Sequence, residues 1–253
     1  MLEMEIRHFE PLDYYANEAF NMLCTNLFFT GGDIKKIMVT SCHSREGKSF
    51  TTMNLMRSLA GLGMRVALVD ADIRASRLQE TFNIRVNMPE GQRYAGLARY
   101  LAGVCGMSDV LAKTNIPNAS MVLAGRNVLN SLPLLNSHRL TELLDALAEK
   151  FDIVLVDAPP VGMVIDAAKI ATRCDGTLLI IQSGTVHRHE LQRVLFQIEK
   201  TGCPILGTVL NQFDEQKYDD KYYYSKTYYS KYGEYGSRDK EKPRSPSDSR
   251  KKR

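Results

Sequence analysis

The chain has 253 residues, of which 44% are hydrophobic and 25% charged, as is ordinary for a soluble globular protein with one large α/β domain. Its longest apolar runs, residues 153–156 and 178–181, are too short to span a bilayer, and its first residues lack the pattern of a secretory signal. The five cysteines are odd in number and show no CxxC spacing, which favours reduced thiols in a cytosol over disulfides or a cysteine metal site.

Hydrophobic periodicity predicts helices and strands that alternate along the chain. In chain order these are helix 16–29, strand 37–40, helix 49–62, strand 65–70, helix 97–101, strand 121–124, helix 137–150, strand 152–157, helix 164–172, strand 176–182, helix 190–201 and strand 205–211. Strands that are apolar throughout and separated by helices are typical of a mostly parallel sheet with helices on both faces. The fold class is therefore α/β, and residues 1–213 are predicted to form one domain.

Residues 214–253 differ in composition from the rest of the chain. They are polar and rich in tyrosine, then basic, and are predicted to form a flexible tail. Residues 237–253 carry a net charge of +5, against +4 for the whole chain, so the remainder is nearly neutral. Such a basic segment can contact acidic surfaces, anionic lipid or nucleic acid. We favour a solvated terminus and expect no nucleic-acid partner.

A candidate phosphate loop connects the first predicted strand to the helix that follows. It reads SCHSREGKS over residues 41–49. Backbone N–H groups in such a loop, together with the helix N-terminus, face the anionic oxygens of a nucleotide. Lys48 would reach the β and γ phosphates, and the Ser49 hydroxyl would bind Mg²⁺. The general pattern has glycine where this chain has Cys42. The predicted nucleotide contacts are Ser44, Arg45, Glu46, Gly47, Lys48, Ser49 and Phe50.

Acidic residues follow two further predicted strands. Asp70 and Asp72 end the second strand, and Asp157 ends the run IVLVD. Ligands of parallel sheets bind beyond the carboxyl ends of the strands, where carboxylates can hold Mg²⁺ and accept a proton from a hydroxyl. We predict Lys48, Asp70 and Asp72 as catalytic residues, with either aspartate as the base. Ser49, Asp72 and Asp157 are the predicted Mg²⁺ ligands, and ATP and Mg²⁺ the cofactors. The alternative is that each aspartate merely caps a helix or turn.

Eight tyrosines cluster near the end of the chain. They are interleaved with Lys, Asp and Ser and therefore lack the regular spacing of side chains that face a protein core. Beside a nucleotide site, flexible hydroxyls are candidate acceptors of a phosphoryl group. The alternative is an adhesive disordered segment. The predicted phosphoacceptors are Tyr218, Tyr222, Tyr223, Tyr224, Tyr228, Tyr229, Tyr232 and Tyr235.

Several of these pieces occur together, in the same order, in one protein family. Residues 18–29, 40–55, 67–74 and 151–160, with the tyrosine cluster, resemble the bacterial tyrosine kinases of the phosphate-loop type, which are associated with capsule and exopolysaccharide synthesis. The resemblance implies a P-loop NTPase-like fold and an ATP-dependent autokinase that phosphorylates its own tail. It also implies protein tyrosine substrates and a homo-oligomer. In Gram-positive members the catalytic chain is usually separate from a transmembrane adaptor, so we expect a cytoplasmic protein recruited to the inner face of the membrane.

The chain departs from the family pattern in two places. Ser44 and Arg45 stand where the family often has Pro-Gly, and a non-glycine residue at position 45 is strained if its φ angle is positive. In the family, a glutamate of the first helix is commonly followed by two arginines, and these residues serve in subunit contacts. Here the glutamate is Glu18, but Asn21 and Cys24 stand in place of the two arginines.

Two other functions remain open. One is an ATPase switch of the partitioning or cell-division type, which shares the fold and the carboxylates. Such proteins usually have lysine where this chain has His43, which we interpret as a loop-surface residue, and they lack a tyrosine tail. The other is a low-activity regulatory scaffold that has lost turnover through Ser44 and Arg45.

Overall fold

The structure, a computed structural model, describes residues 2–31 and 33–213. The chain divides between Gln212 and Phe213, close to the predicted boundary of the domain. All eight candidate acceptor tyrosines lie outside the described residues, so the flexible tail and its acceptor role stay predictions.

Nine strands of the described part form a single sheet. They are β1 (Leu2–Ile6), β2 (Lys36–Ser41), β3 (Val66–Asp70), β4 (Ile84–Asn87), β5 (Ala112–Thr114), β6 (Ala119–Val122), β7 (Ile153–Asp157), β8 (Gly176–Gln182) and β9 (Ile205–Asn211). Their order is β4-β1-β5-β6-β3-β7-β2-β8-β9. Only the β1–β4 and β5–β6 pairs are antiparallel. The predicted α/β fold with a mostly parallel sheet is therefore confirmed.

Helices cover both faces of this sheet. They are α1 (Tyr14–Phe28), α2 (Lys48–Gly61), α3 (Leu78–Thr81), α4 (Gly96–Leu101), α5 (Leu132–Leu135), α6 (His138–Lys150), α7 (Asp166–Ala171) and α8 (Arg188–Glu199). Successive residues of a strand point to opposite faces. Met38 of β2 accordingly packs in one core with α6, α7 and α8, whereas its neighbours Ile37 and Val39 pack in the other with α2. No helix of the described part is both long and apolar enough to span a bilayer.

One edge of the sheet was missed by the sequence prediction. Strands β1, β4 and β5 and the short helices α3 and α5 were not predicted. Strand β1 (LEMEI) alternates apolar and charged residues over only five positions, with Met4 and Ile6 buried, so its apolar signal is weak. The helix predicted over residues 164–172 is shorter, Asp166–Ala171, and the strand predicted over 121–124 is Ala119–Val122.

Two glycines cross in close contact where the chain leaves β6. Gly96 has a φ of +75°, and a Cβ atom there would lie 2.4 Å from the Cα of Gly125. Next to this crossing, the amides of Leu97 and Ala98 donate hydrogen bonds to the carbonyls of Leu123 (2.8 Å) and Ala124 (3.1 Å). The start of α4 thereby holds the segment after β6 at the carboxyl edge of the sheet.

We predict that Gly96→Ala destabilises the protein far more than Gly103→Ala. Gly103 has nearly the same φ, +77°, but a Cβ atom there would meet no atom within 4 Å. The control should lose about 1 kcal/mol through backbone strain alone, and Gly96→Ala about 2 kcal/mol more, because the backbone of Gly125 must shift. Urea unfolding of both variants measures the difference. Equal losses would show that the crossing is not tightly packed.

Candidate active site

The site lies at the carboxyl ends of three adjacent strands. In the order β3-β7-β2, Asp70 of β3 is in register with Asp157 of β7, which also pairs with Val39 of β2. The loop that follows β2 therefore begins beside both aspartates. Local sequence patterns could not show that β3 and β7 are adjacent in the sheet, since β7 lies more than 80 residues beyond β3.

The loop turns into α2 at a glycine. Gly47 is the N-cap, with a φ of +86°, and a Cβ atom there would lie 1.8 Å from Nδ2 of Asn211. The same Nδ2 donates a hydrogen bond to the carbonyl of Glu46 at 2.9 Å. A side chain at position 47 would be strained at this φ and would displace the amide of Asn211, the last residue of β9, which braces the loop. Asn211 was not predicted as a site residue, because a single polar residue at a strand end is no distinctive signal.

Two other loop residues face inward. The Glu46 side chain is buried, and its Oε2 accepts a hydrogen bond from the backbone amide of His43 at 2.9 Å. Cys42 is fully buried, and this burial, together with the nearby carboxylate of Glu46, raises the pKa of its thiol to about 12. The cysteine that replaces the expected glycine is thus a neutral core residue. Glu46 braces the loop from inside, and its side chain does not line the cavity of about 600 Å³ that opens beside the loop.

Lys48, Ser49 and Asp157 form a bonded cluster. Nζ of Lys48 lies 2.8 Å from Oδ1 of Asp157, and the Ser49 hydroxyl donates to Oδ2 at 2.8 Å. The side chains of Lys48 and Asp157 are only 10% and 1% exposed. Burial, the largest single cause, lowers the pKa of Lys48, but the charge and hydrogen bond of Asp157, together with the charges of Asp72 and Asp70, more than offset it and the net shift is upward. Lys48 is therefore a charged group held by a buried carboxylate.

Asp70 is buried beside this cluster. Its Oδ2 accepts hydrogen bonds from the Ser76 hydroxyl and from the amide of Ala124 (3.4 Å). Its Oδ1 has no hydrogen-bond partner among the residues that the structure describes. Burial and, next, the charge of Asp157 raise the pKa of Asp70 to about 7. A carboxylate with this pKa can take up a proton near neutral pH.

Asp72 has a different environment from Asp70. It is half-buried, and its Oδ1 accepts a hydrogen bond from the amide of Ala75 at 3.1 Å. Burial is the largest cause of its raised pKa. Asp72 thus makes one contact of the kind expected of an aspartate that caps a turn. Asp157 does not, because it is hydrogen-bonded to the side chains of Lys48 and Ser49.

A cavity of about 600 Å³ opens beside the loop. Its wall includes six of the seven predicted nucleotide contacts, namely Ser44, Arg45, Gly47, Lys48, Ser49 and Phe50. Asp72 also lines it, whereas Asp70 lines a neighbouring cavity. Asp70 and Asp72, the two predicted candidates for the catalytic base, therefore line different cavities.

An ion pair that the sequence did not reveal ties the segment after β3 to α7. Nε of Arg74 lies 2.6 Å from Oδ2 of Asp166, which also accepts a hydrogen bond from the Ser131 hydroxyl. Asp166 is 1% exposed. The partners are 92 residues apart, so no local pattern could have paired them. This bridge fixes the backbone next to Asp72.

The donor set fits a magnesium ion that arrives with phosphates. No group of three or more His, Cys, Asp or Glu in the described ranges is arranged to hold a metal ion by itself. Mg²⁺, however, is typically bound by one or two carboxylates, with water and substrate phosphates completing its octahedron. Ser49 and Asp157, already in contact at 2.8 Å, supply such a pair of oxygens.

A phosphate loop between a parallel strand and a helix, with acidic strand ends beside it, defines a nucleotide-binding domain of the P-loop NTPase class. A family model described as an AAA domain matches residues 34–202. Tyrosine-protein kinase CpsD of Streptococcus agalactiae is 35% identical over 227 residues, which cover 90% of this chain and 93% of that protein. The chain therefore belongs to the family of bacterial tyrosine-protein kinases.

Solved structures agree with this assignment. The kinase domain of the Escherichia coli tyrosine kinase ETK has a TM-score of 0.70 at 26% identity, with 79% of this chain and 78% of that one covered. The septum site-determining protein MinD of Pyrococcus horikoshii has a TM-score of 0.59 at 21% identity, with 76% of each chain covered, which shows a shared fold alone. The family resemblance seen in the sequence is confirmed, and the cell-division ATPases are more distant.

The backbone of Arg45 is strained, as expected from the glycine that the family often has at this position. Its φ is +68°, so the residue occupies the left-handed region although it is not glycine. We predict that Arg45→Gly stabilises the protein by about 1 kcal/mol, and that Arg45→Ala, which keeps the Cβ atom, gains nothing. Thermal unfolding without nucleotide compares the two variants. An equal gain in both would assign the effect to the guanidinium charge.

Proposed function

We propose that this chain is an ATP-dependent protein-tyrosine autokinase that regulates capsular or exopolysaccharide synthesis. The observation that carries the proposal is the contact of Lys48 and Ser49 with Asp157, next to the buried Asp70, in a member of the tyrosine-protein kinase family. These are the groups that phosphoryl transfer needs: a cation for the phosphates, oxygens for Mg²⁺ and a base.

ATP would bind in the cavity beside the loop. Lys48 would leave Asp157 for the β and γ phosphates, where its charge stabilises the transition state. Ser49 and Asp157, with Asp72 on the cavity wall, would hold Mg²⁺. When bound, Mg²⁺ neutralises charge on the phosphate oxygens.

Of the two candidate bases we assign Asp70. Its Oδ1 is unpartnered within the described residues and its pKa is raised to about 7, whereas Asp72 lines the cavity beside the loop, where it would help to hold Mg²⁺. The tyrosine O–H bond breaks and its proton passes to Asp70. The phenolic oxygen bonds to the γ phosphorus, the bond from that phosphorus to the β–γ bridging oxygen breaks, and ADP leaves.

The acceptors would be the tail tyrosines, from Tyr218 to Tyr235, of a second copy in a homo-oligomer. Each phosphate adds about −1.5 to −2 charges, so a multiply phosphorylated tail repels both itself and the acidic site. By resemblance to the family, a transmembrane adaptor of the polysaccharide co-polymerase type recruits the cytoplasmic chain to the inner face of the membrane.

The test mixes two full-length chains with Mg²⁺ and ATP. The acceptor chain carries Lys48→Met and keeps its tyrosines, and the enzyme chain keeps Lys48 but has phenylalanine at all eight tail positions. We expect phosphotyrosine on the acceptor, mapped by mass spectrometry to residues 218–235. Lys48→Met in both chains should lower the rate at least about 100-fold, because the phosphates lose their cation. Lys113→Met, an exposed lysine of β5, is the matched control.

The same experiment separates the alternatives. Phosphate release without phosphotyrosine would support an ATPase switch. Nucleotide binding with neither product would support a regulatory scaffold. If the intact active chain, incubated alone, labels its own tail while the Lys48→Met acceptor stays unlabelled in the mixture, the transfer occurs within one molecule.

A further inference from the structure

The turn that carries Asp72 is held on one side by the sheet. The amide of Ala71 donates a hydrogen bond to the carbonyl of Asp157 at 2.9 Å, so the turn begins against the end of β7. The amide of Ser76 then closes the turn on the carbonyl of Asp72 at 3.0 Å. These bonds fix the two ends of the turn, and its middle needs a further anchor.

Arg74, in the middle of this turn, supplies that anchor. Its contact with Asp166 is bidentate: Nε donates to Oδ2 at 2.6 Å and Nη2 to Oδ1 at 3.2 Å. Asp166 is buried, and its Oδ2 also accepts a hydrogen bond from the Ser131 hydroxyl. A bidentate contact fixes the direction of the guanidinium as well as its distance. The turn is therefore fastened to the start of α7.

The same arginine also contacts the segment after β6. Nη1 of Arg74 donates to the carbonyl of Leu129 at 3.3 Å, and the amide of Val128 donates to the carbonyl of Ile73 at 2.8 Å. Arg74 thus joins the segments that follow three neighbouring strands, β6, β3 and β7. Both Arg74 and Asp72 line the cavity beside the phosphate loop, so this junction lies on the wall of the proposed nucleotide site.

We propose that Arg74 is a positioning residue for Mg²⁺. Through its ion pair with Asp166, it keeps the carboxylate of Asp72 in place to bind the cation that Ser49 and Asp157 hold. The inference rests on the proposed function, in which these oxygens bind Mg²⁺, and adds the group that keeps one of them in place. Because Asp166 already balances the charge of Arg74, the guanidinium places Asp72 and does not itself bind phosphate.

The chain contains a matched control at the other end of the same strands. Arg65 precedes β3 and Asp152 precedes β7, and their contact is also bidentate, with Nη2 to Oδ1 at 2.6 Å and Nε to Oδ2 at 3.2 Å. This pair joins the two strands with the same chemistry, but at their amino ends, away from the phosphate loop. A general effect of breaking an arginine–aspartate pair between these strands would therefore appear at Arg65 as well.

The first experiment titrates ADP into Arg74→Gln and Arg65→Gln by calorimetry, with Mg²⁺ and with EDTA. Arg74→Gln should reduce the Mg²⁺ enhancement of ADP affinity at least about fivefold, because a ligand of the cation is misplaced. Its Kd for ADP in EDTA should stay within about twofold of the parent, since no phosphate contact is lost. Arg65→Gln should change neither quantity. Arg74→Lys, which keeps the charge without the bidentate geometry, should show an intermediate loss.

Asp166→Asn tests whether Arg74 acts through its partner. The amide keeps the shape of the carboxylate but has no charge and one acceptor oxygen fewer. The Mg²⁺ enhancement should fall as it does in Arg74→Gln, and the double variant should lose no more than either single variant. Weaker binding of ADP in EDTA by Arg74→Gln, with the full Mg²⁺ enhancement retained in Asp166→Asn, would show that the guanidinium binds phosphate directly and would overturn the proposal.

A second measurement needs neither nucleotide nor metal. The amides of Ala75 and Ser76 donate to the side chain and the carbonyl of Asp72, so their hydrogen exchange reports how firmly the turn is held. Arg74→Gln should speed this exchange at least about tenfold, and Arg65→Gln should leave it unchanged. Exchange at the parent rate in Arg74→Gln would show that the ion pair does not hold the turn, and the proposal would fail.

If Arg74→Gln does not fold because Asp166 is left as a bare buried charge, the double variant with Asp166→Asn carries the same measurements. A Mg²⁺ enhancement in the folded variant equal to that of Arg65→Gln would overturn the positioning role alone. If the parent chain shows no Mg²⁺ enhancement at all, the proposed magnesium site itself fails, so the two failures are distinguishable.

Discussion

The buried ion pair between Lys48 and Asp157 is the interaction on which the rest of the site depends. Its 2.8 Å contact joins the phosphate loop to the central strand β7, and Ser49 occupies the other carboxylate oxygen. Removing one partner of a buried pair costs about 3–5 kcal/mol, because the remaining charge is left uncompensated. The two charges can therefore separate only when a ligand supplies a new partner for each of them.

On the proposed function, a magnesium nucleotide would be such a ligand. Its phosphates would replace the carboxylate for Lys48, and its cation would replace the ammonium for Asp157, so binding would exchange partners without leaving a bare charge in the interior. The strand order β3-β7-β2 also places Asp70 in register with Asp157. The same burial that strengthens the ion pair thus keeps a neighbouring carboxyl ready to accept a proton.

The sequence predicted the parts of the molecule whose signals are local. Strands β2, β3 and β7 contain continuous apolar runs, and Gly47, Lys48 and Ser49 follow a strand as a phosphate loop must. Positive φ at position 45 was also anticipated, because the family has glycine there. Strands β1, β4 and β5 were missed, since they are short and gain their apolar face only from pairing at the sheet edge.

The missed site contacts have one physical origin. Arg74 meets Asp166, and Asn211 meets the loop at Glu46, across separations of 92 and 165 residues. Such pairs are determined by the topology of the sheet, which periodicity alone does not give. The neighbouring cavity that Asp70 lines has the same origin, because the segment after β6 meets Asp70 next to the crossing of Gly96 and Gly125.

The exchange of partners at Lys48 can be measured directly by calorimetric titration of ADP into the parent chain and an Asp157→Asn variant, each with Mg²⁺ and with EDTA. The variant removes the group that competes for Lys48 and also the ligand of the cation. We predict that Asp157→Asn binds ADP more tightly than the parent in EDTA, by about fivefold or more, and that Mg²⁺ no longer improves its affinity. Weaker binding by the variant in EDTA, with the full Mg²⁺ enhancement retained, would contradict the account.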